Sequence, residues 1–509
     1  MKILSAQQTR DADASTIQNE PIASIDLMER AARAFTRQFF EVLGSTVNPV
    51  YVFSGPGNNG GDGLAFARLL RQHPYKVNVF TVHATDKGSE DFRINRDRLE
   101  EYLTVRNIET VQDIPEIPEE AIIVDGLFGS GLSRRVEGIF AEVINNINNS
   151  GATVISIDIP SGLFADHPVD EERAPIVKAD HTFTFQMPKL SFLLPKTAHF
   201  IGKWEVLDIG LNRAFIEKTK TDYYYTDQPL AKSLLKKRAI HTHKGDYGKT
   251  ILVCGSYGKM GAAVLCARAC LHTGVGLLTV HVPECGYQIM QIANPEAMTT
   301  VDPHQYIFTE LAQKGGTDLD KYDTVGVGPG IGTAEETVEA LKNLIKEAQA
   351  RQIPMVLDAD ALNICGRHRE LLDLLPDGSI LTPHPKEFER LTEPAKNDFH
   401  RLHLLQEFTK SYKLFVVLKG AHTAVGTPDG EVFFNSTGNP GMASGGTGDA
   451  LTGIITALVS QKYNAFDAAL LGVYLHGLAG DLAAEHLSQE AMLASNLIDH
   501  LGVAFKTLA

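Results

Sequence analysis

Residues 439–453, Asn439-Pro-Gly-Met-Ala-Ser-Gly-Gly-Thr-Gly-Asp-Ala-Leu-Thr-Gly453, carry five glycines in fifteen positions and lead into the apolar run Ile454-Ile-Thr-Ala-Leu-Val459. Glycines strip side chains from a loop, so its backbone N–H groups can close around an anion. From Ala450 the pattern reads as a helix that begins where the glycines stop. Its free N–H groups and its dipole both favour negative charge at that end. One carboxylate, Asp449, stands there. An Asp at such a position is most often a helix cap. Beside a bound phosphate an idle negative charge is unfavourable, so Asp449 makes more sense as a base that takes a proton from an attacking hydroxyl.

Outward from this loop, short β-branched runs alternate with helical patterns. Residues 249–254, 277–282, 324–327, 355–358, 380–381 and 415–419 read as strands, and 262–273 and 468–486 as helices. This alternation marks a parallel sheet covered by helices. Lys419 ends a strand, where it can meet phosphate as a point charge, although a lone Lys there is more often solvated. His384 lies between two prolines after a strand, a rigid loop position. Residues 212–240 are polar and include Lys232-Ser-Leu-Leu-Lys-Lys-Arg238, a basic run best read as a solvated helix face. The chain is expected to divide there into domains at 1–215 and 226–509.

The first part has the same alternation. Strands are expected at 50–54, 77–82, 121–125 and 153–158, and helices at 8–17, 25–43 and 64–71. The layout is doubly wound, and its ligand belongs beyond the carboxyl ends of the strands. Gly55-Pro-Gly-Asn-Asn-Gly-Gly-Asp-Gly63 reads as a glycine loop after the first strand. It fits neither the P-loop nor the dinucleotide spacing. Asn58, Asn59 and Asp62 are polar where a mere turn needs no polar group. Asp125 and Asp158 each end a strand, and Asp125 is followed by Gly126-Leu-Phe-Gly-Ser-Gly-Leu-Ser-Arg-Arg135. Two strand-end carboxylates beside two glycine loops favour a site over simple capping. Arg134 and Arg135 suit phosphate.

At 509 residues the chain is too long for one ordinary core. With 43% hydrophobic and 21% charged residues it has an ordinary globular composition. No stretch approaches the ~20 apolar residues of a membrane span, and the N-terminus has no signal-like apolar core. Five scattered cysteines lack metal spacing and point to a reducing, cytoplasmic protein. The net charge of −15 argues against nucleic-acid binding.

These motifs resemble a known pair of families. Asn58-Asn-Gly-Gly-Asp-Gly, Asp125-Gly-Leu-Phe-Gly-Ser-Gly-Leu, Asp158-Ile-Pro-Ser-Gly, Ala179-Asp-His-Thr-Phe-Thr-Phe and Pro188-Lys-Leu are similar to the YjeF N-terminal domain, the NAD(P)H-hydrate epimerase. That resemblance implies a potassium ion held by Asn59, Asp125 and Ser161. It implies hydrate binding by Asn58, Asn59, Gly60, Gly61 and Asp62, by Gly129, Ser130, Gly131, Leu132, Ser133, Arg134 and Arg135, and by Asp158, the acid/base candidate. His243-Lys-Gly-Asp-Tyr-Gly-Lys, Gly255-Ser-Tyr-Gly-Lys-Met-Gly-Ala, Gly328-Pro-Gly-Ile-Gly, Asp358-Ala-Asp-Ala-Leu-Asn, Leu381-Thr-Pro-His-Pro-Lys-Glu-Phe, Leu418-Lys-Gly-Ala-His-Thr and the 439–453 loop resemble the YjeF C-terminal domain, the ADP/ATP-dependent NAD(P)H-hydrate dehydratase of the ribokinase-like superfamily. Here the resemblance implies nucleotide contacts from Lys419, Gly420, Ala421, His422, Thr423, Asn439, Gly441, Gly445, Gly446, Thr447 and Gly448. It implies hydrate contacts from Ala262, Gly330, His384 and Asp449, with Asp449 catalytic.

The implied fold is α/β in two domains: an N-terminal Rossmann-like three-layer α/β/α domain and a C-terminal ribokinase-like three-layer α/β domain. The implied function is repair of NADH and NADPH hydrates. The R and S forms are interconverted, and the S form is dehydrated with ADP or ATP and Mg²⁺ through a phosphorylated intermediate. Relatives imply a homo-oligomer. The competing reading is a ribokinase-like vitamin kinase, for hydroxymethylpyrimidine- or thiazole-type alcohols, fused to a non-catalytic Rossmann-like binding domain.

Overall fold

The computed structural model describes residues 1–44, 48–83, 88–170, 172–311 and 319–509. It divides into two compact units, Lys2–Tyr223 and Tyr224–Ala509, with Met1 belonging to the second.

The Lys2–Tyr223 unit is built on seven strands: β1 (Val50–Ser54), β2 (Val77–Val82), β3 (Val105–Ile108), β4 (Ile122–Gly126), β5 (Thr153–Ile157), β6 (His181–Phe185) and β7 (Lys203–Leu207). They form one sheet in the order β3-β2-β1-β4-β5-β6-β7, with every neighbouring pair parallel. Alternate residues of each strand serve opposite faces. Val52, Val124 and Ile155 pack with Phe35, Phe66 and Phe92 from helices Ser24–Leu43, Asn58–Leu70 and Glu90–Glu100. Phe53, Ile123 and Val154 pack with Val143, Ile144 and Ile147 of helix Ile139–Asn149. The result is a three-layer sandwich. Strand order reverses between β1 and β4, which opens a crevice at their carboxyl ends.

One local expectation changes. Residues 55–63 read as a loop, but the helix begins at Asn58, so most of that stretch forms its first turns. The glycines serve close approach. A Cβ on Gly60 would lie 1.8 Å from the Gly55 carbonyl oxygen, and one on Gly63 would lie 2.8 Å from the Ser54 hydroxyl.

The Tyr224–Ala509 unit carries a ten-stranded sheet: β8 (Tyr223–Thr226), β9 (Lys249–Val253), β10 (Leu277–Pro283), β11 (Met298–Asp302), β12 (Thr324–Val327), β13 (Met355–Leu357), β14 (Ile380–Leu381), β15 (Phe415–Leu418), β16 (Ala424–Gly426) and β17 (Val432–Asn435). The order is β11-β10-β9-β12-β13-β14-β15-β16-β17-β8. Pairing is parallel from β11 to β15 and antiparallel across β15-β16-β17. The antiparallel extension was not read from the sequence, because β16 and β17 are only three and four residues long. Here too strand order reverses, between β9 and β12.

Beside that reversal lie helices Met260–His272 and Thr447–Ser460. From Ala450 to Ser460 every residue of the latter is buried. The two backbones touch: a Cβ on Gly453 would fall 2.1 Å from the Cys266 carbonyl oxygen. Among the described residues, no helix is long and apolar enough to cross a membrane.

Because both helices frame the same crevice, Gly453 sets their separation. Gly453→Val forces them apart and is expected to cost about 1–3 kcal/mol of stability, the usual range for an overpacked core. Urea unfolding of the full chain measures this.

Candidate active sites

In the Lys2–Tyr223 unit a cavity of about 830 Å³ opens at the β1/β4 crevice. It is lined by Asn58, Asn59 and Asp62 from helix Asn58–Leu70 and by Gly129, Ser130, Gly131 and Leu132. Asp158 lies on the same wall. Gly60 and Gly61 are buried in the first turns of the helix. The rest of the second loop turns elsewhere. Ser133 and Arg134 are exposed, and Arg135 lines a separate cleft, where its guanidinium donates to the Arg173 carbonyl.

Asp158 follows the last residue of β5 with φ +64°, a left-handed backbone more often accepted by Asp and Asn than by other side chains. That turn presents its carboxylate to Lys189 Nζ at 2.8 Å, the Phe185 N–H at 3.1 Å and the Thr184 hydroxyl at 3.2 Å. Lys189 is only 2% exposed. Burial alone raises a carboxyl's proton affinity, but the Lys189 charge and these hydrogen bonds outweigh it and hold Asp158 below the ordinary carboxylate value. Asp62 goes the other way. Burial, with Asp158, Asp13 and Asp91 nearby, holds it well above that value. Asp13, from helix Ala6–Asn19, is raised to about 6, by burial and then by Asp158, against Lys189.

Deeper in the unit, Asp125 is fully buried. It accepts from the Ser161 hydroxyl at 2.6 Å, the Ser161 N–H at 2.9 Å, the Ser156 hydroxyl at 2.8 Å and the Leu127 N–H at 3.2 Å. Burial nevertheless leaves its proton affinity raised. The Ser161 hydroxyl and the Asn59 amide both reach the Phe128 carbonyl, at 3.2 and 3.0 Å. Asn59, Asp125, Ser161 and the Phe128 carbonyl therefore converge on one small volume rich in oxygen.

In the Tyr224–Ala509 unit the strand ends converge on the first turn of helix Thr447–Ser460. Gly446 enters it at φ +95°, and Gly445 has open space where a side chain would stand. Gly441 has none, since a Cβ there would meet the Gln489 carbonyl at 2.6 Å. Asn439 ties the loop down: its amide donates to Asp481 at 2.9 Å and its oxygen accepts from the Gly441 N–H at 3.0 Å. Thr447 hydrogen-bonds back to the Met442 and Ser444 carbonyls. A Cβ on Gly448 would lie 3.4 Å from Lys419 Nζ and 3.9 Å from Asp358, which places the loop over that pair.

Asp358 is the anchor of this floor. It is 1% exposed and accepts from Lys419 Nζ at 2.8 Å and the Thr452 hydroxyl at 2.8 Å. Asp449 has no such support. Among the described residues, no donor reaches its carboxylate. Burial and the charges of Asp358 and Asp360, opposed by Lys419, raise it to about 6.

The other expected residues surround this floor. Gly330, at φ +69°, abuts Ala262: a Cβ there would be 3.2 Å from the Ala262 methyl. The Ser256 hydroxyl donates to the Gly330 carbonyl at 2.7 Å. His384 is the cap of helix Pro385–Leu391, its Nδ1 accepting from the Glu387 N–H. The Lys419 N–H bonds to the adjacent Pro383 carbonyl. Thr423 closes a turn on Gly420, Ala421 lies within it, and His422 Nδ1 donates to the Asn435 carbonyl.

Sequence reading assigned no role to Asp13, Lys189, Asp358 or His476. Lys189 and Asp358 lay within quoted motifs, but only their partners in space give them meaning. His476 Nε2 donates to the Thr447 carbonyl at 2.9 Å. Burial pushes its pKa down to about 4, so it supports the loop as a neutral ring.

Comparison with known proteins matches two family models to the chain. The family model described as NAD(P)H-hydrate dehydratase matches residues 250–502, and that of the YjeF-related protein N-terminus matches 24–191. The bifunctional NAD(P)H-hydrate repair enzyme of Thermofilum pendens is 34% identical over 526 residues, covering 100% of this chain and 97% of the relative. That of Moorella thermoacetica is 34% identical over 528 residues with the same coverage. That of Escherichia coli is 32% identical over 456 residues, covering 88% of this chain and 84% of the relative. The crystal structure of an ADP/ATP-dependent NAD(P)H-hydrate dehydratase from Bacillus subtilis, co-crystallized with ATP/Mg²⁺, is 29% identical with a TM-score of 0.49, covering 56% of this chain and 99% of that one. Similarity over the whole length, at this identity, places the chain in the family of bifunctional NAD(P)H-hydrate repair enzymes.

Proposed function

We propose that the two reactions of the family divide between the units, with epimerisation in residues 1–215 and nucleotide-dependent dehydration in residues 226–509. The observation that carries the second assignment is Asp449. It is a carboxylate that no donor among the described residues reaches, at a helix N-terminus, beside the Asp358–Lys419 pair.

In the dehydratase, ADP or ATP lies with its terminal phosphates against the N–H groups of Gly445, Gly446, Thr447 and Gly448. The segments Lys419–Thr423 and 439–441 complete the nucleotide site. The hydrate, held near Ala262, Gly330 and His384, turns its C6 hydroxyl towards Asp449. Asp449 takes the proton as that oxygen attacks the terminal phosphoryl group, and Lys419 and the loop dipole stabilise the transferring charge. Mg²⁺ that arrives with the nucleotide adds charge neutralisation there. Phosphate is a far better leaving group than hydroxide, so elimination restores the dihydronicotinamide.

In the epimerase, the hydrate lies in the cavity between 58–62 and 129–135, with Gly129–Leu132 the part of the second loop that reaches it, and Asp158 is the acid/base group. A potassium ion fits Asn59, Asp125, Ser161 and the Phe128 carbonyl. Asp125, Ser161 and the Phe128 carbonyl offer hard oxygens that include one carboxylate, a set suited to a monovalent cation, and Asn59, whose amide nitrogen donates to that carbonyl, would turn its oxygen to the ion. When bound, that ion supplies fixed positive charge that holds the two loops in register. The five thiols are all free, which suits a reducing cytoplasm.

Asp449→Asn is expected to lower dehydratase kcat on the order of 10²–10⁴-fold, as for loss of a general base. Regeneration of NADH absorbance from the S hydrate measures it. Wild-type kcat should fall as pH drops through about 6, where Asp449 protonates. The stability sign is opposite. A carboxyl raised to about 6 in the fold penalises the ionised form, a penalty that is small at pH 4, lost below the unfolded value of 3.8 and complete by about pH 7. Asp449→Asn should therefore stabilise the chain by about 1–3 kcal/mol at neutral pH and by little at pH 4, read by denaturant unfolding. For the potassium site, replacing choline chloride with potassium chloride should raise the melting temperature of wild type and leave Asp125→Asn unmoved.

A further inference from the structure

The epimerase cavity holds more acid–base groups than Asp158. Helix Ala6–Asn19 turns one stripe towards it, with Thr9, Arg10, Asp13, Ala14 and Ile17 at helical spacing. The charged groups facing Asp13 are Arg10 from its own helix, Asp62 from helix Asn58–Leu70, Asp91 from helix Glu90–Glu100, and Asp158 and Lys189 beyond β5 and β6. Their bonding separates them. Asp158 is tied to Lys189, Thr184 and the Phe185 N–H, and Asp91 accepts from the Ser24 hydroxyl. No protein donor among the described residues reaches Asp13 or Asp62.

We propose that Asp13 is a second catalytic group of the epimerase, sharing the cavity with Asp158, so that one carboxyl protonates the departing oxygen at C6 and the other deprotonates the arriving one. This rests on the assignment of epimerisation to this unit.

In the proposed route to inversion at C6, the C6–O bond breaks and forms again on the other face. Asp13 in its acid form gives its proton to the C6 hydroxyl. The C6–O bond breaks, its electron pair leaves with the oxygen as water, and the N1 lone pair closes a C6=N1 double bond. Water then adds to the opposite face of the flattened carbon. The double-bond pair returns to N1, and ionised Asp158 takes the added water's proton. One hydroxyl is lost and one gained, with no oxidant or reductant. One proton has passed from Asp13 to Asp158. A turnover in the opposite direction, or transfer through cavity water, resets the pair.

The environment supports these roles. Lys189 keeps Asp158 ionised, whereas burial and the Asp158 charge raise Asp13 to about 6, close to working pH. Two carboxyls whose surroundings push them apart in this way are suited to acid and base. Asp62 is held so far up that it parts with its proton poorly.

The test follows epimer interconversion by the full chain in ¹⁸O-water, above the uncatalysed rate. Wild type should install solvent oxygen at C6 with each inversion. Asp13→Asn should lose about 100-fold or more in kcat, with KM within about threefold, and Asp13→Glu should recover part of the loss. An Asn variant within about threefold of wild-type kcat, or inversion without solvent oxygen, overturns the proposal. If Asp13→Asn fails to fold by circular dichroism, the wild-type pH profile decides. A kcat that falls as pH rises through 6 to 8 supports the acid, and a flat or rising profile overturns it. A wild-type chain that does not interconvert the epimers overturns the assignment of the reaction to this unit instead.

Discussion

In each unit a lysine ammonium grips one aspartate at 2.8 Å where the strands end, while another aspartate close by has no donor among the described residues. The pairs are Asp158 with Lys189 and Asp358 with Lys419. The ungripped neighbours are Asp13 and Asp449, both raised to about 6. The constraint is electrostatic. In a partly dry site two carboxylates and one cation cannot all be ionised at low cost. In the first unit Lys189 holds Asp158 below the ordinary carboxylate value, and in both units the ungripped carboxyl is raised. A group so placed binds or releases a proton near working pH, as acid–base chemistry requires.

The rest of each fold serves to hold these groups at their separations. Both sheets reverse strand order at the crevice, so loops splay apart there and leave room for a ligand. Close backbone contacts make the surroundings stiff. Gly60 lies against Gly55, Gly453 against Cys266, and Gly326 leaves no room beside Thr456. The left-handed turn at Asp158 is a local strain kept in place by this packing, and Gly446 takes its αL entry without steric cost. Stability is spent where it positions charge.

Much of this was readable in the sequence. Runs such as Val50–Ser54 and Thr153–Ile157 are β-branched and apolar because both faces of their strands are covered, and that pattern survives in one dimension. Glycine loops and strand-end aspartates were visible for the same reason. What escaped depends on contacts across long separations. Lys189 gains its role only by lying under Asp158, and Asp13 only because the first helix turns that side to the cavity. The 55–63 segment read as a loop because glycine signals turns and close packing alike. Arg135 read as a phosphate ligand from its neighbourhood, yet its guanidinium is engaged with the Arg173 carbonyl in another cleft.

The split protonation of neighbouring carboxyls is best measured directly. Carboxyl-¹³C aspartate labelling of the full chain, with Asp449→Asn and Asp13→Asn used for assignment, gives each midpoint by NMR titration. Asp449 and Asp13 are expected to titrate near 6, and Asp158 below the ordinary carboxylate value. Midpoints for Asp449 and Asp13 at the ordinary value of an exposed aspartate would contradict it.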